Sequence, residues 1–514
     1  MRRTTAAILF LMSSPWTIGC GTAPELEGPG EASCGDGSCQ NEPPPESVCL
    51  EHLAADILDD GCGVFVAGLA GGGDDRNPGT KAKPVFSVQR AVDIAREGRG
   101  RVFVCSDGFE GNVRLPAGVD LHGGYNCWRW GRDPYNKVST LQVITNSDPV
   151  VIVEPASPGD PGTADGVSTI AYMRMRSNGP ISVVVRSSTV VEILRSEVMT
   201  SHGWGGGDGE EWPWPERGED GPDGSFGADG CSAATVAGGA AVMNLCGDGA
   251  SSTGGKGGDG LPDSGEDGGA GAPAPMPNPT SSGRGGHGDR EGSGCHRGSE
   301  GISGAFGTVG AAGEGIGRIT EMGWEGDRAA DGSRGMPGQG GGGGGGLRGG
   351  LAACGVATLG GASGGAGGAG GCGGRGGRGG GNGRPSIGIV ALHAELTVRD
   401  TVIMTSNGGQ GGNGGPPEQG GKPGRGGPGA ALSDGRWACA GGKGGYGGTG
   451  GYGGPGRGGD SIGIAYVDED QLTLEGVGYE LAPPGKGGMS WNHDGSTVSA
   501  EDGVAVETLR FPEP

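Results

Sequence analysis

Apolar residues are scarce in this chain: 33% of its 514 residues are hydrophobic and 5% aromatic, against 128 glycines. Length alone would accommodate roughly three or four domains, yet much of the chain cannot bury an ordinary core. Positive charge is short as well, since 37 Lys and Arg face 60 Asp and Glu for a net charge of -23. Phosphate binding needs clustered cations, so nucleic acid is not an expected partner. Beyond residues 1–20 no apolar run is long enough to span a bilayer. No C-x-x-C pair occurs and only Cys295 adjoins a histidine, His296, so neither a metal nor any other cofactor is expected.

Catalytic constellations are missing too. A lyase or hydrolase needs carboxylates grouped with Arg or Lys, or two carboxyls set for glycoside hydrolysis. Asp74 and Asp75 fall in a turn-rich loop, and Asp400 and Asp468 read as isolated turn residues. The seven histidines are scattered, with no serine or cysteine nucleophile motif beside them. Gly-Gly-Lys-Gly-Gly-Asp at 254–259 does not repeat as a calcium-binding nonapeptide. No catalytic residue is assigned, and the expectation is a protein that is not an enzyme.

What is present begins with an export signal: Arg2 and Arg3, an apolar run from Ala6 to Met12, then Thr17-Ile18-Gly19-Cys20. This resembles a bacterial lipobox, with Thr17 where leucine is usual. The resemblance implies cleavage before Cys20, lipidation of that cysteine and a lipid anchor in the outer membrane or at the cell surface of a Gram-negative bacterium. If the lipobox is not used, the protein is secreted. Twelve cysteines remain: Cys34, Cys39, Cys49, Cys62, Cys105, Cys127, Cys231, Cys246, Cys295, Cys354, Cys372 and Cys439. An even number in an exported chain points to disulfides. Cys34 with Cys39, Cys49 with Cys62, and Cys105 with Cys127 are natural local pairs; the pairing of the other six is open. Residues 20–47, rich in Gly, Pro, Glu and Ser, read as a flexible tether, with order expected from about Cys62.

Three near-matching segments organise the rest. Ser386-Ile387-Gly388-Ile389 recurs as Ser461-Ile462-Gly463-Ile464, with a looser copy at Ser182–Val185, and Leu396-Thr397-Val398 is echoed by Leu472-Thr473-Leu474. Short β-rich runs also fill 101–200, among them Arg101–Cys105, Thr140–Ile144, Ile170–Met175 and Val190–Leu194. Such repeats fit rungs of one solenoid, in which Ile387 and Ile389 stack on Ile462 and Ile464. Domains follow as a signal at 1–19, a cap with first rungs at 62–203, a glycine-rich insert at 204–384, a rung at 385–407, a second insert at 408–460, and last rungs with a tail at 461–514.

Asp75-Arg76-Asn77-Pro78-Gly79-Thr80, then Lys83-Pro84 and a helical stretch bearing Phe86, Arg90, Val92, Ile94 and Ala95, resembles the opening of pectin-lyase-like parallel β-helices. That opening belongs to a domain of otherwise unknown function. The resemblance implies an all-β fold: a right-handed parallel β-helix of about five to six rungs with a short N-terminal capping helix. The chain also resembles the glycine-rich, cysteine-containing exported proteins of myxobacteria described as PGRS-like, which carry no agreed activity. Here the match spans the signal, the Asn-Pro-Gly-Thr opening, Cys105 and Cys127 around Leu121–Tyr125, and the glycine-rich remainder.

Inside the inserts glycine is periodic. Gly218, Gly221, Gly224, Gly227 and Gly230 fall every third residue, and Gly-Gly-x triplets run over 364–378 and 441–454. Three is the period of an extended polyproline-II-type helix, so a bundle of polyglycine-II-type helices is the expectation, with a disordered glycine spacer as its alternative. The acidic run 208–230 contrasts with the acid-free Arg375, Arg378 and Arg384; such patches could attract each other, but solvation of a mobile loop is the plainer reading. Trp204, Trp212 and Trp214 among Glu210, Glu211 and Glu216 are the candidate glycan contacts, because indole faces stack on sugars; packing against the solenoid edge is the plainer reading. Tyr446 and Tyr452, six apart in a period-three helix, should share one face. The composite expectation is a structural or adhesive lipoprotein of the cell surface, contacting membrane through its lipid and an extracellular polysaccharide or protein. A carbohydrate-binding protein, a polysaccharide lyase or hydrolase, and a spacer are the alternatives.

Overall fold

The computed structural model describes residues 44–135, 137–144, 149–157, 166–213 and 217–513. The expected signal, Cys20, Cys34, Cys39 and Trp214 lie outside these residues. Three long sheets, parallel throughout, form the first body. The first joins Val64–Val66, Arg101–Cys105, Asp120–Tyr125, Val167–Ala171, Val190–Leu194, Glu395–Arg399 and Leu472–Glu475. The second joins Val113–Pro116, Val151–Glu154, Ile181–Val185, Ser386–Ala391, Ser461–Tyr466 and Ala505–Arg510. The third joins Gly108–Glu110, Ser139–Gln142, Met173–Arg176, Glu197–Met199, Val402–Thr405 and Gly478–Leu481. From Arg101 onward the chain visits the first, third and second sheets in turn, a mostly-β, β-helix-like course.

Stacked apolar ladders hold it together. Val102, Leu121, Ile170, Ile193 and Val398 stand in register across the first sheet, all fully buried. The two Ser-Ile-Gly-Ile segments align as their sequences require, Ile387 pairing with Ile462 and Ile389 with Ile464. The looser copy is offset by two residues from the match its serine suggests: Val183 pairs with Ile389, and Ile181, just before the copy, pairs with Ile387. Ile389 belongs to the main core with Val398 and Ile403, whereas Ile387 packs with Ile319 and Trp324 of the first insert. Between them Gly388 lets the backbone approach Ile403, whose side chain would lie 2.4 Å from an added Cβ. The expected single strand Ile170–Met175 divides at Tyr172, whose φ is 55°. Arg195, Asp400 and Gly476 occupy the matching corner in successive coils with φ of 45°, 47° and 63°, so the turn is a column of left-handed residues. Asp400 therefore serves a corner, as read.

Order begins earlier than expected. Helix α1, Glu46–Ala54, overlaps the end of the expected tether, fixed by the Cys49–Cys62 disulfide and by Glu46, which binds Arg99 and the buried Arg101. A second helix, α2, covers Val88–Ala95 and buries Val88, Ala91, Val92 and Ala95 against strands of the first and second sheets. Phe86 precedes it and is exposed, because Asp75 accepts the N–H groups of both Phe86 and Ser87 and so fixes the helix entry.

The glycine-rich inserts are a second body. Among the described residues strands make up 26% and helices 7%, so most amides must find partners elsewhere, and here they bond laterally between extended segments. Residues 363–381 run through its middle. Gly365, Gly368, Gly371, Gly374 and Gly377 donate to the carbonyls of Cys439, Gly442, Gly445, Gly448 and Gly451 at 2.8–3.0 Å. Ala366, Ala369 and Cys372 donate to Ser225, Pro222 and Glu219, and Gly364 and Gly367 to Gly258 and Gly255. The carbonyls of 365–377 accept from Gly332–Gly344, and those of 366–378 from Gly415–Gly427, again every third residue. A three-residue turn aims successive amides about 120° apart, which is why one segment engages neighbours on several sides.

Both inserts leave after Glu197–Met199 and Val402–Thr405, which are paired strands, and return at Ser386 and Ser461, also paired. Each neck is closed alike: Thr200 Oγ1 meets Ser386 Oγ at 2.6 Å, and Thr405 Oγ1 meets Ser461 Oγ at 2.7 Å. The repeated serine thus clamps the base of an insert. The acidic run has a role that its reading as a solvated loop did not provide. Asp208, Asp220, Asp223 and Asp229 accept the backbone N–H groups of Asn413, Lys422, Arg425 and Ala431 at 2.6–3.0 Å. These amides lie where the period leaves them without a carbonyl, so the aspartates satisfy the edge of the stack. Asp223→Ala should cost about 1 kcal/mol and speed exchange of the Arg425 amide, while Asp223→Asn keeps most of the protection. Proton exchange monitored residue by residue checks this; equal rates in wild type and alanine variant would refute the edge role.

Candidate functional site

Six of the cysteines whose pairing was open staple the glycine-rich body: Cys231–Cys354, Cys246–Cys372 and Cys295–Cys439. The local pairs Cys49–Cys62 and Cys105–Cys127 form as read. Among the described residues no group of three or more His, Cys, Asp or Glu side chains is placed to hold a metal ion, and no helix is long and apolar enough to cross a membrane.

Trp204 and Trp212 are engaged by different arginines. The Arg384 guanidinium lies 5.2 Å from the Trp204 ring centre. Trp212 carries Arg375 at 3.9 Å and Arg378 at 4.7 Å, and its Nε1 donates to the Gly376 carbonyl at 3.0 Å. Arg375 in turn binds the buried Glu418 at 3.0 Å, and Arg378 binds Asp331 at 3.2 Å. Partial burial pushes the Asp331 carboxyl up, but the Gly379 N–H and the Arg328 and Arg378 guanidiniums outweigh it and hold that carboxyl below its usual range. Trp212 is therefore a packing residue beneath an arginine pair, and two of the three acid-free arginines, Arg375 and Arg378, pair with carboxylates contributed by other segments.

Near Trp204, where the inserts meet the sheets, a polar cavity of ≈ 700 Å³ is lined by Gly206, Trp324, Asp327, Arg328, Asn382 and Arg384. A smaller one of ≈ 160 Å³ shares Trp324 and Arg384. Asn382 accepts the Arg457 N–H through Oδ1, which fixes its amide orientation and leaves Nδ2 without a partner. Sequence reasoning missed this cleft because Trp324 and Asn382 are 58 positions apart and carry no shared pattern.

Tyr446 and Tyr452 do occupy one phase: the carbonyls of Tyr446, Thr449 and Tyr452 accept from Gly304, Gly307 and Gly310. Tyr446 is half exposed beneath the Lys443 ammonium at 4.9 Å. Tyr452 lies 6.1 Å from Trp491 and 5.9 Å from His493, ring centre to ring centre. Together these features define a mostly-β protein with long parallel sheets and a disulfide-linked, glycine-rich outer body. No protein-family model, curated protein or solved structure matches the chain.

Proposed function

We propose that this chain is a non-enzymatic structural or adhesive protein of the cell surface, anchored in the outer membrane by lipid on Cys20. In this reading a right-handed parallel β-helix of about five to six rungs, capped by α2, carries polyglycine-II-type helices as a rigid contact surface. The supporting observation is the lateral hydrogen bonding of the inserts, in which each segment is locked by backbone bonds to several neighbours. A body built this way holds its exterior residues in fixed positions without a conventional core, which suits a contact surface more than a turnover site. The five disulfides accord with an oxidising compartment outside the cytoplasm.

Deleting the gene in its native bacterium should weaken attachment to surfaces or to other cells, and re-expression of the full chain should restore it. Protease added to intact cells should reach the protein, and Cys20→Ser should release it into the medium. Unchanged attachment of the deletion strain, or a protein that protease reaches only after lysis, would exclude the reading.

A further inference from the structure

An aromatic strip runs along the glycine-rich body. Its order follows from register: residue n of 298–313 donates to residue n + 142, so Phe306 lies at the level of Gly448, between Tyr446 and Tyr452. His493 Nε2 contacts the Gly450 carbonyl at 2.8 Å, and Ser490 Oγ donates to that of Gly453, which sets His493 and Trp491 at the adjoining levels. The rings touch in sequence: Phe306 stacks on His493 at 4.5 Å, His493 neighbours Tyr452, and Tyr452 neighbours Trp491. Phe306 is 62% exposed, Tyr446 50% and Trp491 39%, so this is surface and not core. At about 3.1 Å per residue in such an extended helix, Tyr446 to Tyr452 spans roughly 19 Å.

We propose that this strip binds a single extended strand of uncharged polysaccharide, its sugar rings lying on Tyr446, Phe306, Tyr452 and Trp491. The inference deepens the adhesive reading above and rests on it. Pyranose rings present apolar C–H faces to aromatic planes, and platforms held along a rigid axis match a linear chain better than a compact ligand. The charge balance selects an uncharged strand: a net charge of -23 repels a polyanion, and Lys443 is the one cation described over these rings. The tryptophans suggested by the sequence are less suited, since arginines lie over Trp204 and Trp212.

The test is native affinity electrophoresis of the full mature chain in gels containing hydroxyethylcellulose, glucomannan or polygalacturonate. Retardation is expected with at least one neutral polymer and not with polygalacturonate. Phe306→Ala/Tyr446→Ala, both exposed positions, should weaken retention about tenfold or more with unchanged thermal unfolding, whereas Tyr446→Phe alone, which keeps both rings, should retain it. The proposal is overturned by no retardation in either neutral polymer, by equal retardation in polygalacturonate, or by undiminished retention in the folded double variant. Self-association in sedimentation that the double variant abolishes would overturn it in favour of a second copy as occupant. The two readings separate in cells. If the double-variant strain attaches like wild type while the deletion strain does not, the strip is wrong and the adhesive role stands; if the deletion strain attaches normally, the adhesive role itself fails.

Discussion

Gly367→Ala is expected to destabilise the glycine-rich body by about 3 kcal/mol or more, a loss out of proportion to one methyl group. A Cβ at this position would lie 1.9 Å from the Gly341 carbonyl oxygen, which is backbone and cannot swing aside. Gly341 itself donates to Gly368, and Gly367 donates to Gly255, so pushing one segment outward stretches bonds on two sides. The neighbouring triplet positions show the contrast, since Ala366 and Ala369 are accepted fully buried in the phase that faces 219–225. Gly207→Ala is the control, because a Cβ there meets nothing within 4 Å and its φ is ordinary. Thermal unfolding and amide exchange over 364–378 measure both variants. Equal melting of Gly367→Ala and Gly207→Ala would mean the segments are not packed as tightly as the lateral bonds imply.

That prediction depends on a feature the sequence displayed openly. A three-residue glycine period states both the conformation and the faces left bare, and the Ser-Ile-Gly-Ile repeats stated the stacking of Ile387 on Ile462. Local chain length made Cys49–Cys62 and Cys105–Cys127 legible for the same reason, nearness in sequence. Partners separated by 123–144 residues were not legible, because several pairings satisfy the same spacing until the register of the segments is known. Asp220 and Asp223 illustrate a different limit. As charges they read as solvation, yet they act as acceptors for single amides of Lys422 and Arg425, and that role exists only once the opposing segment is in place. Helix α1 escaped notice because only Cys49 of its residues is buried, so no apolar periodicity marks it. The aromatic strip draws on three separated stretches, around Phe306, Tyr452 and Trp491, and only the Tyr446–Tyr452 spacing hinted at it.

Cys246→Ser/Cys372→Ser should lower the stability of the same body by about 3–4 kcal/mol. The bridge spans 126 residues, for which chain entropy alone would suggest about 5 kcal/mol. Cys231–Cys354 remains in the variant, however, and reaches the same neighbourhood through arms of roughly 15 and 18 residues, which shortens the loop being released. Full reduction removes that compensation. The apolar cluster of the glycine-rich body is small, built on Leu347, Ala353, Ala362, Ala430, Leu432 and Ala438, whereas the sheets are held by continuous aliphatic ladders. Reduction should therefore divide the molecule by its two kinds of cohesion. Amides of 364–378 and 441–454 should lose protection, while those of Ile389–Ala391 and Ile464–Tyr466 keep theirs. Hydrogen exchange before and after reduction, with alkylation to verify complete opening, reads this directly. If the glycine segments stay protected when every bridge is open, backbone bonding alone sustains them; if the sheets lose protection together with the inserts, the two bodies unfold as one cooperative unit.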